Sequence, residues 1–485
     1  MDSRLPSLFT ALLTGLLATA AYAAEHRVAT QANFDRLKSA TFQPGDRILF
    51  QRGRSFTGMF APKGDGAPDA PITIDAFGTG DLPQIHAGGQ HPAAVFLHNV
   101  IHWEVRHLEV TNTDGSPDGQ GNLFGIYVLA DEQERTVEHI HIDRCFVHHV
   151  NGLVAGKRRG GIHVHMKELE HSTFNNLRIT HNRVEHVGGV GIGNDSTCAR
   201  VHITPDGVTT QNLWTNVYVA DNYVGHTGRN NVIARVSKDA IYERNTLAYS
   251  SRFSTGHSIF CFNTDGIKIQ FNEAYGNIGP GSRDRGGFDA DYNCVHTFIQ
   301  YNYSHDNQWF CGIMKRPNRH VVIRYNLSVN DRDGIYFYGF NSRQQADDIH
   351  IYNNTHYVAR GLEAVVFPER RTPLNSRFEN NIFYFQGEGG WGPRAEGINT
   401  TFRNNVYHRL TPHPTDDQAR TTSPHFVDPG QAPTNIDLTT MQALVGYRLK
   451  PDSPYRQGGT LIEDRGAHNL LKESLTPGVS AYGAF

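Results

Sequence analysis

One short pattern recurs along the chain: an apolar residue, two variable residues, then asparagine. It appears as Ile179…Asn182, Val219…Asn222, Tyr242…Asn245, Ile269…Asn272, Ile299…Asn302, Ile323…Asn326, Ile351…Asn354, Phe378…Asn381 and Phe402…Asn405. The steps between successive asparagines are 40, 23, 27, 30, 24, 28, 27 and 24 residues. Self-similarity at this period, rich in Asn, Gly and β-branched residues, specifies a solenoid whose coils bury their apolar faces against one another. An Asn at the bend after a strand suits such stacking, because its amide donates and accepts at once and can bond the coils on both sides. Asn also tolerates the left-handed backbone such a bend needs. The column is therefore structural, and none of these asparagines is assigned to catalysis.

Each coil carries a second strand, often opened by Gly: Gly161-Ile162-His163-Val164-His165, Val190-Gly191-Ile192-Gly193, Val232-Ile233-Ala234-Arg235, Ile259-Phe260-Cys261-Phe262, Phe288-Asp289-Ala290-Asp291, Ile313-Met314-Lys315-Arg316, Ile335-Tyr336-Phe337-Tyr338 and Val365-Val366-Phe367. Side chains alternate faces along a strand, and the first and third positions are nearly always apolar. The second and fourth positions then form an outer strip: His163/His165, Gly191/Gly193, Ile233/Arg235, Phe260/Phe262, Asp289/Asp291, Met314/Arg316 and Tyr336/Tyr338. Lys315 breaks the alternation and marks a bulge or a coil end.

The rest of the chain reads as flanks to this body. Residues 1–23 have the form of an export signal, with an apolar run Leu8–Ala20 before Ala21-Tyr22-Ala23, and predict a secreted or periplasmic protein. Residues 24–95 form the N-terminal cap and first coils, with a short amphipathic helix over 30–40 that Thr30 caps. Residues 96–410 are the solenoid, and 411–485 are a Pro/Thr/Asp-rich loop and a C-terminal cap. The net charge of −3 provides no general field for nucleic acid or an anionic membrane, and no later segment is a membrane span. Of the five cysteines, Cys145 and Cys261 are core residues; a Cys294–Cys311 disulfide is left open.

The outer strip sets aromatic rings beside carboxylates and cations, the composition that binds a sugar chain. Asp289 and Asp291 lie two residues apart, about 6.6 Å along the strand. Two carboxylates so placed acquire separate pKa values and divide the acid and base roles of glycoside hydrolysis. Arg235, Arg316, Lys315, Phe260, Phe262, Tyr336 and Tyr338 are read as substrate contacts, Arg316 also as a catalytic group. His163 and His165, four coils away at roughly 19 Å, are read as subsite residues. His305 and Asp306 either border the cleft or stabilise a bend, the offset that His149, His186 and His226 share. Asp265 and Asp333 are turn residues. No metal site is assigned.

With its repeats, its Gly-Ile strands, the entry PGDRILFQRG…APITIDAFGTG and the close GYRLKPDSPYRQGG…SAYGAF, the chain resembles the pectate-lyase-like superfamily over nearly all of its length. The resemblance implies an all-β, right-handed single-stranded parallel β-helix, with a helical N-terminal cap and an irregular C-terminal cap. It also implies carbohydrate chemistry: lyases, hydrolases or uronate epimerases. Asn263-Thr264-Asp265-Gly266-Ile267 is similar to the first acidic motif of polygalacturonases, but Ala290 splits the aspartates, and neither Gly-His-Gly nor Arg-Ile-Lys follows. The leading reading is a glycoside hydrolase working through Asp289 and Asp291 on a polysaccharide or oligosaccharide, without a cofactor. The alternatives are a lyase or epimerase with Arg316 or Lys315 as base, for which calcium is implied, and a non-catalytic glycan-binding β-helix.

Overall fold

The computed structural model describes residues 23–459 except 117–120, 153–155, 281–283, 315–316, 340–345, 369–371 and 394–395. All but the last residue of the export signal, Lys315 with Arg316, and the closing SAYGAF lie outside the described residues.

The chain is a right-handed parallel β-helix. Each turn visits three parallel sheets in order, as in Thr173–Thr180, Arg183–Val187 and Val190–Ser196. The first sheet holds the strands that precede the ladder asparagines, the second the strands that follow them, and the third the Gly-led strands. Register is kept from coil to coil: Ile142 faces Ile179, Val147 faces Val184, and Ile162 faces Ile192. These apolar columns converge on one continuous core along the axis. An antiparallel hairpin, Arg200–Thr204 with Gly207–Gln211, is inserted after Val190–Ser196 and accounts for the 40-residue step.

The helix Gln31–Leu37 lies at the N-terminal end, with the Thr30 side chain accepting from the Asn33 amide. Its Phe34 ring packs against Phe50, Phe56 and Phe60 and so covers the first coil. The described part of the C-terminal segment first runs against the last coil, with bridges Arg403 to Asp417 and Val406 to Arg420. The turn Gln442–Tyr447 then lies along the flank, where Phe426, Leu444 and Tyr447 pack on Tyr303, Leu327 and Tyr384 of the second sheet. The apolar outer face of that sheet needs this cover.

The asparagine column is a continuous ladder. Each side-chain oxygen accepts from the amide of the preceding coil's asparagine: Asn182 to Asn222 at 3.0 Å, Asn222 to Asn245 at 2.9 Å, and on through Asn272, Asn302, Asn326, Asn354 and Asn381 to Asn405. Cys145 donates its backbone N–H to Asn182 Oδ1 at one end, and Asp416 accepts from Asn405 at the other. The left-handed residue is not the asparagine itself but the one before it: His181 at φ 54°, Asp221 at 59° and Tyr301 at 55°. The ladder bonds hold that unfavourable backbone in place.

A second, shorter ladder escaped the sequence reading. Asn277 donates its backbone N–H to Asn307 Oδ1 at 3.0 Å, and Asn307 to Asp331 Oδ1 at 3.0 Å. Asn277 also donates to the carbonyls of Gly256 and Gly286, at 2.9 and 3.0 Å. It fixes the point where the chain enters the strand Gly286–Ala290. All five cysteines are buried free thiols, so the open Cys294–Cys311 disulfide is not formed.

Replacing Asn302 with Ala removes the acceptor of the Asn272 backbone and side-chain amides and the side-chain donor to the Ile269 carbonyl, all inside the protein. The expected loss of stability in denaturant unfolding is about 3 kcal/mol, and a loss under about 0.5 kcal/mol contradicts the ladder's role.

Candidate active site

The strand Gly286–Ala290 belongs to the third sheet, with Phe288 and Ala290 fully buried in the core. Alternation therefore turns Asp289 outward, in register with Phe260 on one side and Gly312 on the other. Both nearby glycines are dictated by space. A Cβ on Gly312 would stand 2.4 Å from Asp289 Oδ1, and one on Gly286 would stand 2.8 Å from His257 Nδ1.

Asp289 faces outward but lies deep, with 2% of the residue exposed. Burial, reinforced by the charges of Asp291 and Asp284, pushes its carboxyl well above the usual range. Asp291 follows the strand and is partly open to solvent. Burial raises its pKa to about 6, with the Lys157 ammonium pulling against that rise. Asp284 is the most open of the three, with 36% of its side chain exposed, and its Oδ1 lies 3.9 Å from His257 Nε2. The same imidazole nitrogen lies 3.5 Å from Asp289 Oδ2.

Cations and aromatic rings frame these acids. Lys157 Nζ lies 4.5 Å from the Phe260 ring centroid, and burial lowers its pKa while Asp291 opposes the fall. Arg235 is 7% exposed and donates to the Lys157 carbonyl at 3.4 Å. Arg158 pairs with Asp195. Trp309, Met314 and Phe337, with Tyr292 packed against them, form an apolar cluster on the C-terminal side.

Several sequence assignments need correction. Tyr336 and Tyr338 point into the core, not onto the strip. Tyr336 pairs with Cys311 and Tyr338 with Ile313, both core residues, so the outward side chain of that strand is Phe337, paired with Gly312. Aligning strands on their first apolar residue set that coil one residue out of phase, and alternation then reversed the faces. The hydroxyls are satisfied inside, Tyr336 by His356 at 3.0 Å and Tyr338 by Ser376 at 2.7 Å.

His163 and His165 lie on the third sheet but are 1% and 3% exposed, which removes them as open subsite contacts. His163 Nε2 donates to the Val190 carbonyl at 3.2 Å, and His165 Nδ1 is hydrogen-bonded to the Tyr127 hydroxyl at 3.2 Å. Burial pushes the His163 imidazole down to about 3. Phe260 is likewise covered, by Lys157 and Arg235, while Phe262 stays partly open beside Tyr292. His305 ends a strand of the second sheet, so it and Asp306 do not border the site. His305 instead contacts Glu273 at 3.2 Å, which also receives the backbone amides of Asn435 and Ile436.

Sequence reasoning missed Asp284, His257 and Lys157. Asp284 precedes its strand, so alternation is silent about it. The run Lys157-Arg158-Arg159 between glycines was a visible basic signal.

Among the described residues, one trio brings metal-type ligand atoms within 4.8 Å of each other: His98, Asp131 and Glu132. The Asn99 amide nitrogen sits 2.9 Å from His98 Nε2 and 3.1 Å from Asp131 Oδ1. Its orientation is fixed, because Asn99 Oδ1 accepts the Asp131 and Glu132 backbone amides. An N–H donor thus fills the place a cation would take.

No protein-family model matches the chain. It is 27% identical to a lacto-N-biosidase of Bifidobacterium longum subsp. longum over 530 aligned residues, covering 87% of this chain and 32% of that protein. The chain thus spans about a third of the length of that relative. Two crystal structures of the GH136 lacto-N-biosidase from Eubacterium ramulus share the fold. One has a TM-score of 0.59 at 19% identity, over 82% of this chain and 68% of that one; the other has 0.55 at 20%, over 76% and 68%.

Lys157 stabilises ionised Asp291, so Lys157→Met removes the one charge that most opposes protonation there. The Asp291 carboxyl resonance should then titrate above its value of about 6. An unchanged or lower midpoint contradicts this electrostatic coupling.

Proposed function

We propose that this chain is a glycoside hydrolase acting on oligosaccharides at the outer wall of the third sheet. The observation that carries this reading is the cluster Asp284, Asp289 and Asp291, in which burial raises the carboxyls of Asp289 and Asp291 while Asp284 is the most open of the three. Glycosidic cleavage needs one carboxylic acid to protonate the departing oxygen and one carboxylate to act on the other side of the sugar ring.

The roles follow from exposure. Asp289 is too deep to touch a substrate. Asp291 is partly open and retains its proton up to about pH 6, which suits the general acid. Asp284 is the most open carboxylate beside it and suits the base or nucleophile. Lys157 offers a donor to sugar hydroxyls, and the partly open Tyr292 and Phe262 offer ring faces. Similarity to a lacto-N-biosidase makes lacto-N-bioside linkages the first substrates to assay.

A lyase reading keeps one specific support. Lys157 is an amine with a lowered pKa beside two carboxylates, as a proton-abstracting base requires. A lyase yields an unsaturated product that absorbs in the ultraviolet, whereas a hydrolase yields reducing ends alone.

Incubation with aryl lacto-N-biosides and a panel of neutral and uronate glycans is expected to release reducing sugar without new ultraviolet absorbance. Asp291→Asn and Asp284→Asn should each lower kcat by about 10³-fold or more. Asp289→Asn should cost less. Full activity in both of the first two variants, or an unsaturated product, contradicts the hydrolase reading.

A further inference from the structure

Six large apolar side chains are exposed among the described residues, and three of them share one bend. Tyr249 at 42%, Phe253 at 50% and Ile278 at 51% lie between the second and third sheets, on two successive coils. A single exposed apolar residue is ordinary, but a cluster marks a surface that meets a ligand or partner. The two bends touch. Tyr249 donates its backbone N–H to the Tyr275 carbonyl at 2.9 Å, and a Cβ on Gly276 would stand 2.6 Å from its ring.

The segment 251–257 that carries Phe253 is pinned at both ends. Arg252, Phe253 and Ser254 donate backbone N–H groups to the carbonyls of Thr227, Gly228 and Gly228 at 3.1, 2.9 and 3.0 Å. Asn277 and Asn230 donate to the carbonyls of Gly256 and His257 at 2.9 and 2.7 Å. A ring presented by so fixed a backbone is pre-organised for binding.

Its place joins it to the acids. The segment leads into Ile259–Phe262, which pairs with the acidic strand Gly286–Ala290. Asp284 precedes that neighbouring strand, so Phe253 and Asp284 belong to one edge of the wall. His257 follows Phe253 by four residues, and its Nε2 lies 3.5 Å from Asp289 Oδ2. Four residues of extended chain span at most about 14 Å. Polar groups flank the rings. The Arg252 guanidinium lies 5.6 Å from the Phe253 centroid, with Nη1 3.4 Å from His186 Nδ1. His186 stacks on His226 and His226 on Tyr249, each at 4.8 Å. Apolar ring faces edged by donors match a sugar, which has apolar faces and a hydroxyl rim.

We propose that Phe253, with Tyr249 and Arg252, forms a distal platform for one end of an oligosaccharide whose other part lies at the acids. The substrate class is then oligosaccharides long enough to reach both. The inference rests on the hydrolase reading for its purpose, but binding is measured apart from turnover. Continuity with the acidic wall selects a sugar as the occupant over a second copy of this chain.

The test measures binding of neutral di- to hexasaccharides, lacto-N-biose among them, to the Asp291→Asn protein with and without a change at Phe253. Affinity should rise with chain length, and Phe253→Ala should weaken the longest glycans about tenfold while disaccharides change far less. Phe253→Tyr, which keeps a ring, should bind as the parent does. Phe253→Leu, which keeps apolar bulk without a ring, should behave as Ala does and replaces it where Ala fails to fold. With Asp291 intact, KM for a cleaved long glycan should rise about tenfold in Phe253→Ala while kcat holds. Equal affinity in parent, Ala and Leu proteins, an equal loss for short and long glycans, or no glycan bound at all overturns the proposal. So does a dimer in sedimentation that Phe253→Ala dissolves, since the patch is then an interface between copies. Cleavage without any dependence on chain length overturns the platform and leaves the hydrolase reading standing. The expected binding pattern with no glycan cleaved by the wild-type protein rejects the hydrolase reading alone.

Discussion

A single file of buried amides holds this molecule together. Stacked coils have no long-range packing to enforce register, because each touches only its neighbours. From Asn182 to Asn405 every ladder side chain ties one bend to the next, and it does so where the preceding residue sits in left-handed backbone. Cys145 and Asp416 terminate the file, one as donor and one as acceptor, so neither end leaves an amide group unmade inside. Register fixed at that bend passes along each coil to the third sheet, where a slip of one residue would turn Asp289 inward. The short file Asn277, Asn307 and Asp331 repeats the device at the bend that leads into the acidic strand.

The chemistry of the outer wall is a matter of water access. Three aspartates within one stretch of eight residues would ordinarily all be ionised and repel one another. The fold instead grades their exposure, from Asp289 at the bottom to Asp284 at the rim, and Lys157 crosses the site to reach Asp291. Two glycines, Gly286 and Gly312, leave the room this gradation needs.

The fold was legible because its signals repeat. Nine copies of one pattern average out local noise, and the apolar positions of the Gly-led strands define inside and outside. The same alternation brought Asp289 and Asp291 to the outer wall and Arg235 beside them. It failed where a strand entered in another phase, at Tyr336 and Tyr338, since both phases of GIYFY read as apolar. It also said nothing about depth. An outward-facing position is not an exposed one when Lys157 and Arg235 lie across Phe260. Loop residues such as Asp284, Lys157 and His257 carry no period, so only tertiary structure brings them to the acids.

The most direct test of the account is a crystal structure of the Asp291→Asn protein with a bound oligosaccharide. The account predicts that the sugar lies on the third sheet, with a glycosidic oxygen at residue 291 and the Asp284 carboxylate beside the same ring. Sugar bound instead beneath the Arg200–Gln211 hairpin, in the cavity lined by Thr204, Arg319 and Asp347, with the aspartates untouched, would contradict it.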